Sequence, residues 1–162
     1  VKLRMLTLAR KVNDEMLGRT FHLVRDALKS CGKPMRRARI SIFGVSRYPN
    51  IKEPSGSFMK KLVSMLSKKG ALVKVYDPLF SQKELTEMGY SAERTLTQTV
   101  EGADCLVITI GHDRFRRLNL RKIKFLVKKP AAIVDMEHVV APQKAEREGF
   151  VYRGLGRGVW TK

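Results

Sequence analysis

Residues 38–58, ARISIFGVSRYPNIKEPSGSF, decide the fold, because they combine a buried strand, a glycine turn, a loop and the start of a helix. The strand is predicted by three β-branched residues, Ile40, Ile42 and Val45. Gly44 allows a tight turn after the strand, Ser57 is placed to cap the helix, and Gly70 marks its end. Nucleotide-binding α/β domains begin with this order of elements.

Four further strands are predicted along the chain, at ALVKVYDP (71–78), DCLVITIG (104–111), AAIVD (131–135) and FVYRGLG (150–156). Helices are predicted between them, at 82–89, at 95–101, in one basic segment from about Arg114 to Val127, and at 141–149. YSAERT (90–95) reads as a short strand or a loop. This alternation predicts an α/β fold, a Rossmann-like parallel sheet with helices on both faces.

A site is expected beyond the carboxyl ends of these strands, where ligands bind in open parallel sheets. The loops at that edge follow Gly44, Asp77, Gly111 and Asp135.

The first 31 residues have a long helical pattern with apolar stripes, and Gly18 interrupts it, which predicts a kink. We therefore predict two parts, a helix with its linker over 1–37 and the Rossmann-like domain over 38–162. The stripes are too extensive for one domain flank to bury, so we expect a homodimer through this long N-terminal helix, from Leu3 to Leu28.

The chain has 162 residues, with 33 Lys and Arg against 15 Asp and Glu, a formal charge of +18. This excess of positive charge favours anionic partners. It indicates either solvated helix faces or a surface that binds phosphate or nucleic acid. No nucleic-acid-binding motif is present, so we do not expect nucleic acid as the partner. The absence of a long apolar run or a signal segment predicts a soluble, cytoplasmic protein. Two cysteines and three scattered histidines predict neither a disulfide framework nor a metal site.

Several segments, read in order, resemble the UDP-glucose/GDP-mannose dehydrogenase family, specifically its C-terminal UDP-binding domain and the end of its central helix. The segments are LTLARKVNDEM (6–16), RARISIFGVSRYPNIKEPSGS (37–57), VYDP (75–78), EGADCLVITIGHDRF (101–115), AAIVDMEHVV (131–140) and GFVYRGLGRG (149–158). Asn13 matches the Asn of the family's central helix.

The resemblance implies an enzyme that oxidises a nucleotide-sugar alcohol to a carboxylate in two NAD-dependent steps through a cysteine thiohemiacetal. The glycine-flanked cysteine and the GxGxxG fingerprint of the family's N-terminal half are not found in this sequence. We therefore expect this chain to bind no NAD by itself, to be inactive alone, and to work with a separate N-terminal catalytic half. The alternative is a degenerate, non-enzymatic nucleotide-binding or nucleic-acid-binding domain.

The resemblance places a nucleotide-sugar site at Arg47, Tyr48, Glu53, Ser55, Glu137 and His138. This chain departs from the family there: Arg47 and Tyr48 stand where relatives commonly have an aromatic residue and then Lys. An arginine is missing from the loop near Glu53, and Glu137 replaces another. These departures predict UDP binding on the order of millimolar.

Three of these residues also have a simpler interpretation. Arg47 contacts a diphosphate or is an exposed loop arginine, Tyr48 contacts a sugar or packs on Pro49, and Glu53 forms a local ion pair or cap.

The acidic and histidine residues at the other strand ends are interpreted in the same way. We interpret Asp77 as a turn residue rather than a ribose ligand. His112 beside Asp113 is interpreted as a loop histidine bonded to backbone rather than as an acid–base group. The resemblance to the family favours a structural or site-lining role for Asp135, and the role of His138 stays open.

Overall fold

A computed structural model describes residues 4–156 of the chain. Its strands are β1 (Arg39–Phe43), β2 (Leu72–Tyr76), β3 (Cys105–Ile108), β4 (Ala131–Asp135) and β5 (Phe150–Gly154). Its helices are α1 (Arg4–Ser30), α2 (Ser57–Lys68), α3 (Gln82–Glu87), α4 (Leu96–Val100), α5 (Asp113–Arg116), α6 (Leu120–Ile123) and α7 (Pro142–Arg147). The predictions for Leu3 and for the end of GFVYRGLGRG lie outside the described residues.

The five strands form one parallel sheet in the order β2-β1-β3-β4-β5. All residues of β3 and β4 are buried, as expected for the central strands of a sheet covered on both faces. α1 and α2 contribute to the core on one face, whereas the segments around α4 to α7 contribute to the core on the other. The predicted Rossmann-like parallel sheet with helices on both faces is confirmed.

The strand order reverses between β1 and β3, so the loops that follow these two strands leave the sheet towards opposite faces. A crevice opens between such loops at the carboxyl edge of the sheet. This is the place where the fold leaves room for a ligand.

α1 is a continuous helix from Arg4 to Ser30, so Gly18 does not interrupt it, and a kink at this residue stays a prediction. The second half of α1 packs into the core through Phe21, Val24, Ala27 and Leu28. After the helix, Lys33 Nζ lies 2.7 Å from Asp104 Oδ1 and ties this end of α1 to the start of β3. The first half leaves Met5, Leu6, Leu8 and Val12 exposed. The division of the chain at 37/38 stays a prediction.

Two local predictions are wrong. Gly56 rather than Ser57 precedes α2, and it provides no side-chain cap. The basic segment 114–127 forms two single-turn helices rather than one, because the Asn119 side chain accepts a hydrogen bond from the N–H of Lys122 and starts a new helix. The segment 90–95 is a loop with one parallel bridge from Ala92 to Val75. No helix within residues 4–156 combines the length and apolar character needed to cross a membrane.

Candidate functional site

The carboxyl end of β2 fixes the loop that follows β1. Asp77 is fully buried, and its Oδ2 accepts hydrogen bonds from the N–H groups of Val45 and Ser46, at 2.8 and 3.1 Å, and from Ser46 Oγ at 3.0 Å. Its Oδ1 accepts from the N–H of Leu79 at 2.9 Å, which forms the turn predicted for this residue. Asp77 is therefore a structural anchor between two strand ends.

The loop 44–55 is closed on itself by backbone hydrogen bonds. The N–H of Arg47 donates to the carbonyl of Glu53, and the N–H of Ser55 donates to the carbonyl of Val45, both at 2.7 Å. Gly44, with φ of 104°, makes the turn out of β1, and its N–H donates to the carbonyl of Tyr76. This arrangement returns the chain to the sheet edge and places Ser55 beside the start of α2.

His112, in the loop after β3, holds the tip of the same loop. The N–H of Asn50 donates to His112 Nδ1 at 2.8 Å, as the backbone-bonded interpretation predicted. Nδ1 is therefore unprotonated, and the proton of the neutral ring lies on Nε2, which is 3.3 Å from Asp77 Oδ2. The carboxylate that meets the ring is that of the buried Asp77 rather than that of the neighbouring Asp113.

A cleft of about 480 Å³ opens at this edge of the sheet. Its wall comes from the ends of β1, β3, β4 and β5, the first turns of α2 and the middle of α1. Its lining residues are Asn13, Asp14, Met16, Leu17, Ser46, Arg47, Ser55, Ser57, Phe58, Met59, Lys61, Thr109, Ile110, Met136, Glu137 and Leu155. It occupies the crevice that the reversal of strand order creates.

Of the six residues that the resemblance suggests, three line the cleft: Arg47, Ser55 and Glu137. The other three lie beside it and do not line it. Tyr48 is 49% exposed, Glu53 faces Arg47 with 3.5 Å between its Oε1 and the arginine Nη1, and His138 is an exposed residue with φ of 52° after β4. The local ion pair considered for Glu53 is therefore present.

Sequence reasoning missed the contribution of α2. Lys61 is a second cation in the cleft, and it lies only 3.9 Å from Asp14 of α1. The first turn of α2 has no side-chain cap, so its backbone N–H groups lie at the cleft wall without that partner. A lysine four residues after the first helical residue was the available signal, since that spacing keeps both on one helix face.

Ser55 carries the clearest unsatisfied polar group of the cleft. Its Oγ is buried and has no hydrogen-bond partner within residues 4–156. Buried polar atoms are normally paired, whereas this hydroxyl still has a free hydrogen-bond donor and a free acceptor. A polar ligand in the cleft would pair with them.

Asp135 repeats the role of Asp77 at the end of β4. Its Oδ2 accepts from the N–H of Val140 at 2.8 Å and from the Tyr152 hydroxyl at 3.2 Å, and its Oδ1 accepts from the N–H of Glu137 at 3.1 Å. The structural interpretation of Asp135 is confirmed, and its hydrogen bonds set the position of Glu137 in the cleft.

Neither cysteine is arranged as a nucleophile. Cys31 and Cys105 are both buried, and burial raises the pKa of each thiol. A nucleophilic cysteine needs the opposite shift, because the thiolate is the reactive form. Within residues 4–156 no group of His, Cys, Asp and Glu side chains forms a metal cluster either.

The fold and the cleft define a doubly wound α/β domain with a ligand crevice at its topological switch point. The sequence profile of the UDP-glucose/GDP-mannose dehydrogenase family, UDP binding domain, matches residues 41–142. The chain belongs to this family and carries its UDP binding domain.

Relatives agree with this assignment. The chain is 29% identical to a UDP-N-acetyl-D-mannosamine dehydrogenase of Methanococcus maripaludis, over 97% of this chain and 35% of that protein. It is 30% identical to the enzyme of the same name from Methanocaldococcus jannaschii, over 96% of this chain and 34% of that protein. The crystal structure of an NDP-N-acetyl-D-galactosaminuronic acid dehydrogenase from Methanosarcina mazei Go1 superposes with a TM-score of 0.82 at 28% identity, covering 93% of this chain and 31% of that one. The chain thus spans about a third of the length of the relatives that it matches.

Proposed function

We propose that the cleft binds a UDP-sugar or a similar nucleotide sugar and forms the nucleotide-sugar side of an NAD-dependent nucleotide-sugar dehydrogenase. The observation that carries the proposal is the cleft at the β1/β3 switch point, with the buried, unpartnered Ser55 Oγ in its wall. The printed activities of the relatives supply the substrate class, since they act on UDP-N-acetyl-D-mannosamine or UDP-glucose by name.

Charge in the cleft fits a diphosphate better at one end than at the other. Arg47, Lys61 and the uncapped first turn of α2 provide positive charge and N–H donors, which favour an anion. Asp14 lies 3.9 Å from Lys61 and offsets part of that positive charge, whereas Glu137, after β4, provides a carboxylate that accepts hydrogen bonds from sugar or ribose hydroxyls. We assign the diphosphate to the α2 end and the hydroxyls to the Glu137 end.

NAD and the catalytic thiolate are assigned to the rest of the family enzyme. The turn after β1 reads Gly44, Val45, Ser46 and lacks the further glycines that let a backbone approach a dinucleotide pyrophosphate. The described residues therefore do not fit NAD. The homodimer through α1 and the cytoplasmic location stay predictions.

Replacement of Arg47 tests the assignment of the diphosphate. We expect Arg47→Ala to weaken UDP binding by about 1.5 to 3 kcal/mol, the usual contribution of a hydrogen bond to a charged group. Isothermal titration calorimetry with UDP measures this loss. Arg117→Ala is the matched control, because this exposed arginine lines a different cleft and should leave the affinity unchanged. Equal affinities of Arg47→Ala and the unchanged chain would contradict the assignment.

Polyanion binding is a second candidate function, favoured by a basic surface on the other sheet face. Six exposed cations there form no ion pair within residues 4–156: Arg114, Arg116, Arg117, Lys122, Lys144 and Arg147. Phe125, which follows α6, is 79% exposed, with Lys124 Nζ 5.4 Å and Lys129 Nζ 5.8 Å from its ring centroid. Exposed aromatic rings among cations are typical of single-stranded nucleic-acid sites.

A salt titration separates the two candidates. If the basic surface binds nucleic acid, the logarithm of affinity should fall with the logarithm of salt by about 0.9 for each phosphate contacted in duplex DNA, or about 0.7 in single strands. Arg117→Ala should then reduce that slope and Arg47→Ala should not. Micromolar, salt-sensitive DNA binding without detectable UDP binding would replace the first candidate by the second.

A further inference from the structure

We propose that His112 is a positioning residue for nucleotide binding: when neutral it latches the loop 44–55 in the shape that places Arg47 at the cleft, and when protonated it releases that loop. The inference rests on the proposed function for its effect on affinity. The latch itself stands on the geometry of His112, Asn50 and Asp77.

The tip of the loop is held from outside through Asn50. Its N–H donates to His112 Nδ1 at 2.8 Å, and its Oδ1 accepts from the N–H of Asp113 at 3.1 Å. Asn50 adopts φ of 59°, a conformation that asparagine tolerates better than most residues. The base of the loop is closed by its own backbone, so His112 and the start of α5 hold the tip.

The ring of His112 has a fixed orientation. It is 1% exposed, its Nε2 lies 3.3 Å from the Asp77 carboxylate, and the Phe115 ring meets it edge-on at 5.3 Å between centroids. Asp77 also anchors Val45 and Ser46 at the base of the loop. One buried His–Asp pair therefore contacts both the base and the tip of the loop.

Protonation of His112 removes the latch. A proton from solvent on Nδ1 places an N–H donor against the N–H of Asn50, so that hydrogen bond is lost and two donors face each other. Asp77 is the charged group in direct contact with the ring. The other charged groups on the elements packed against it have exposed side chains: Arg47, Lys52 and Glu53 of the loop, and Asp113, Arg114 and Arg116 of α5.

The direction in which the affinity changes with pH distinguishes this latch from a direct effect of the charge on His112. Imidazoles are the side chains that ordinarily change charge between pH 5 and 8. A positive charge added near a diphosphate would strengthen binding as the pH falls. Release of the tip would instead weaken binding as the pH falls, because the loop that carries Arg47 is then held only at its base.

The test is the affinity for UDP-glucose between pH 8 and pH 5.5, by calorimetry. UDP-glucose is used rather than UDP because a terminal phosphate itself takes up a proton near pH 6. We expect the affinity of the unchanged chain to fall by roughly tenfold over this range, as the loss of one positioning hydrogen bond suggests. An affinity that stays constant or rises at low pH would overturn the latch.

Two variants separate the hydrogen bond from the packing of the ring. His112→Asn keeps an oxygen acceptor near the position of Nδ1 but takes up no proton, so it should bind UDP-glucose with little pH dependence. His112→Gln reaches Asp77 from the position of Nε2 but offers Asn50 no acceptor, so it should bind weakly at both pH values. His22→Gln, at an exposed position on α1, is the control and should keep the full pH profile.

Amide hydrogen exchange of Asn50, measured by NMR, tests the latch in the absence of ligand. We expect protection at pH 8 that is lost towards pH 5.5, after correction for the intrinsic exchange rate, and protection in His112→Asn that does not change. If UDP-glucose binds at no pH, the proposed function fails, and the exchange of Asn50 still decides the latch. If either variant fails to fold, the profile of the unchanged chain decides, and an unprotected Asn50 at pH 8 overturns the proposal.

Discussion

Asp77 and Asp135 occupy equivalent positions, each buried at the carboxyl end of a parallel strand. Asp77 accepts backbone hydrogen bonds from the loop after β1, and Asp135 accepts them from the loop after β4. Each carboxylate therefore attaches a loop to the end of a strand. A buried carboxylate with several donors tolerates replacement poorly, because the donors would be left unpaired. Both residues act on the cleft through the loops that they hold.

Gly44 lies where the structure leaves no room for a side chain. A Cβ at this position would lie 2.1 Å from Ile110 Cγ2, and φ of 104° disfavours any other residue. The absence of a side chain lets the loop after β3 approach β1, where Thr109 Oγ1 donates to the carbonyl of Gly44 at 2.7 Å.

Gly44→Ala should lower the free energy of unfolding by at least ~2 kcal/mol, through backbone strain and the clash with Ile110. Gly18→Ala is the matched control in the interior of α1, where a Cβ meets nothing within 4 Å. It should raise the free energy of unfolding by about 0.5 to 1 kcal/mol, because alanine favours a helix more than glycine does. Urea unfolding measures both, and equal values for the two variants would refute this account of Gly44.

At the scale of elements, α1 has two different halves. The second half is part of the core, and Arg153 of β5 reaches it through Asp26 and Ser30. The first half presents Met5, Leu8 and Val12 on one stripe, 86, 62 and 49% exposed. Residues spaced in this way lie on one helix face and fit a second copy of the same helix.

We expect the chain to form a dimer through this stripe. The double variant Leu8→Lys with Val12→Lys should be monomeric, because it introduces like charges into an apolar contact. Light scattering at several concentrations measures the mass. Lys60→Ala, on the exposed surface of α2, is the control and should stay dimeric. A monomeric unchanged chain would contradict the prediction. Deleting the residues before Lys33 is a poorer test, since it removes buried residues of the core.

For the chain as a whole, the proposed function separates binding from chemistry. The cleft offers cations, hydroxyls and carboxylates for a nucleotide sugar, whereas both thiols are buried with raised pKa values. A cysteine that must attack an aldehyde needs an accessible thiolate.

The 162 residues alone should therefore form no NADH from NAD and UDP-glucose or UDP-N-acetylmannosamine. Absorbance at the NADH band measures this, and a full-length relative serves as the positive control. Cys31→Ser and Cys105→Ser provide the sharper comparison. If the chain were active and either substitution abolished that activity, the assignment of the thiolate to the rest of the enzyme would be wrong.

The strands, their parallel arrangement and the edge at which the cleft lies could be predicted from the sequence. Runs such as CLVI in β3 and AAIV at the start of β4 are continuously apolar, and such runs exclude a sheet with one face in water. The interpretation of Asp77 as a turn residue followed from the Asp-Pro pair, whereas the role of Asp135 was implied by the resemblance to the family. The strands and turns depend on residues close together in the chain, so the local sequence pattern predicts them.

Tertiary structure decided which side chains share the cleft. Lys61 and Asp14 lie on different helices, and their meeting depends on how α1 packs beside α2. His112 follows β3 and meets Asp77 after β2, because β1 brings the two strand ends close. Tyr48, Glu53 and His138 fall outside the cleft lining although their loops border it. Contacts between residues far apart in the chain depend on packing and strand order, and no local pattern specifies them.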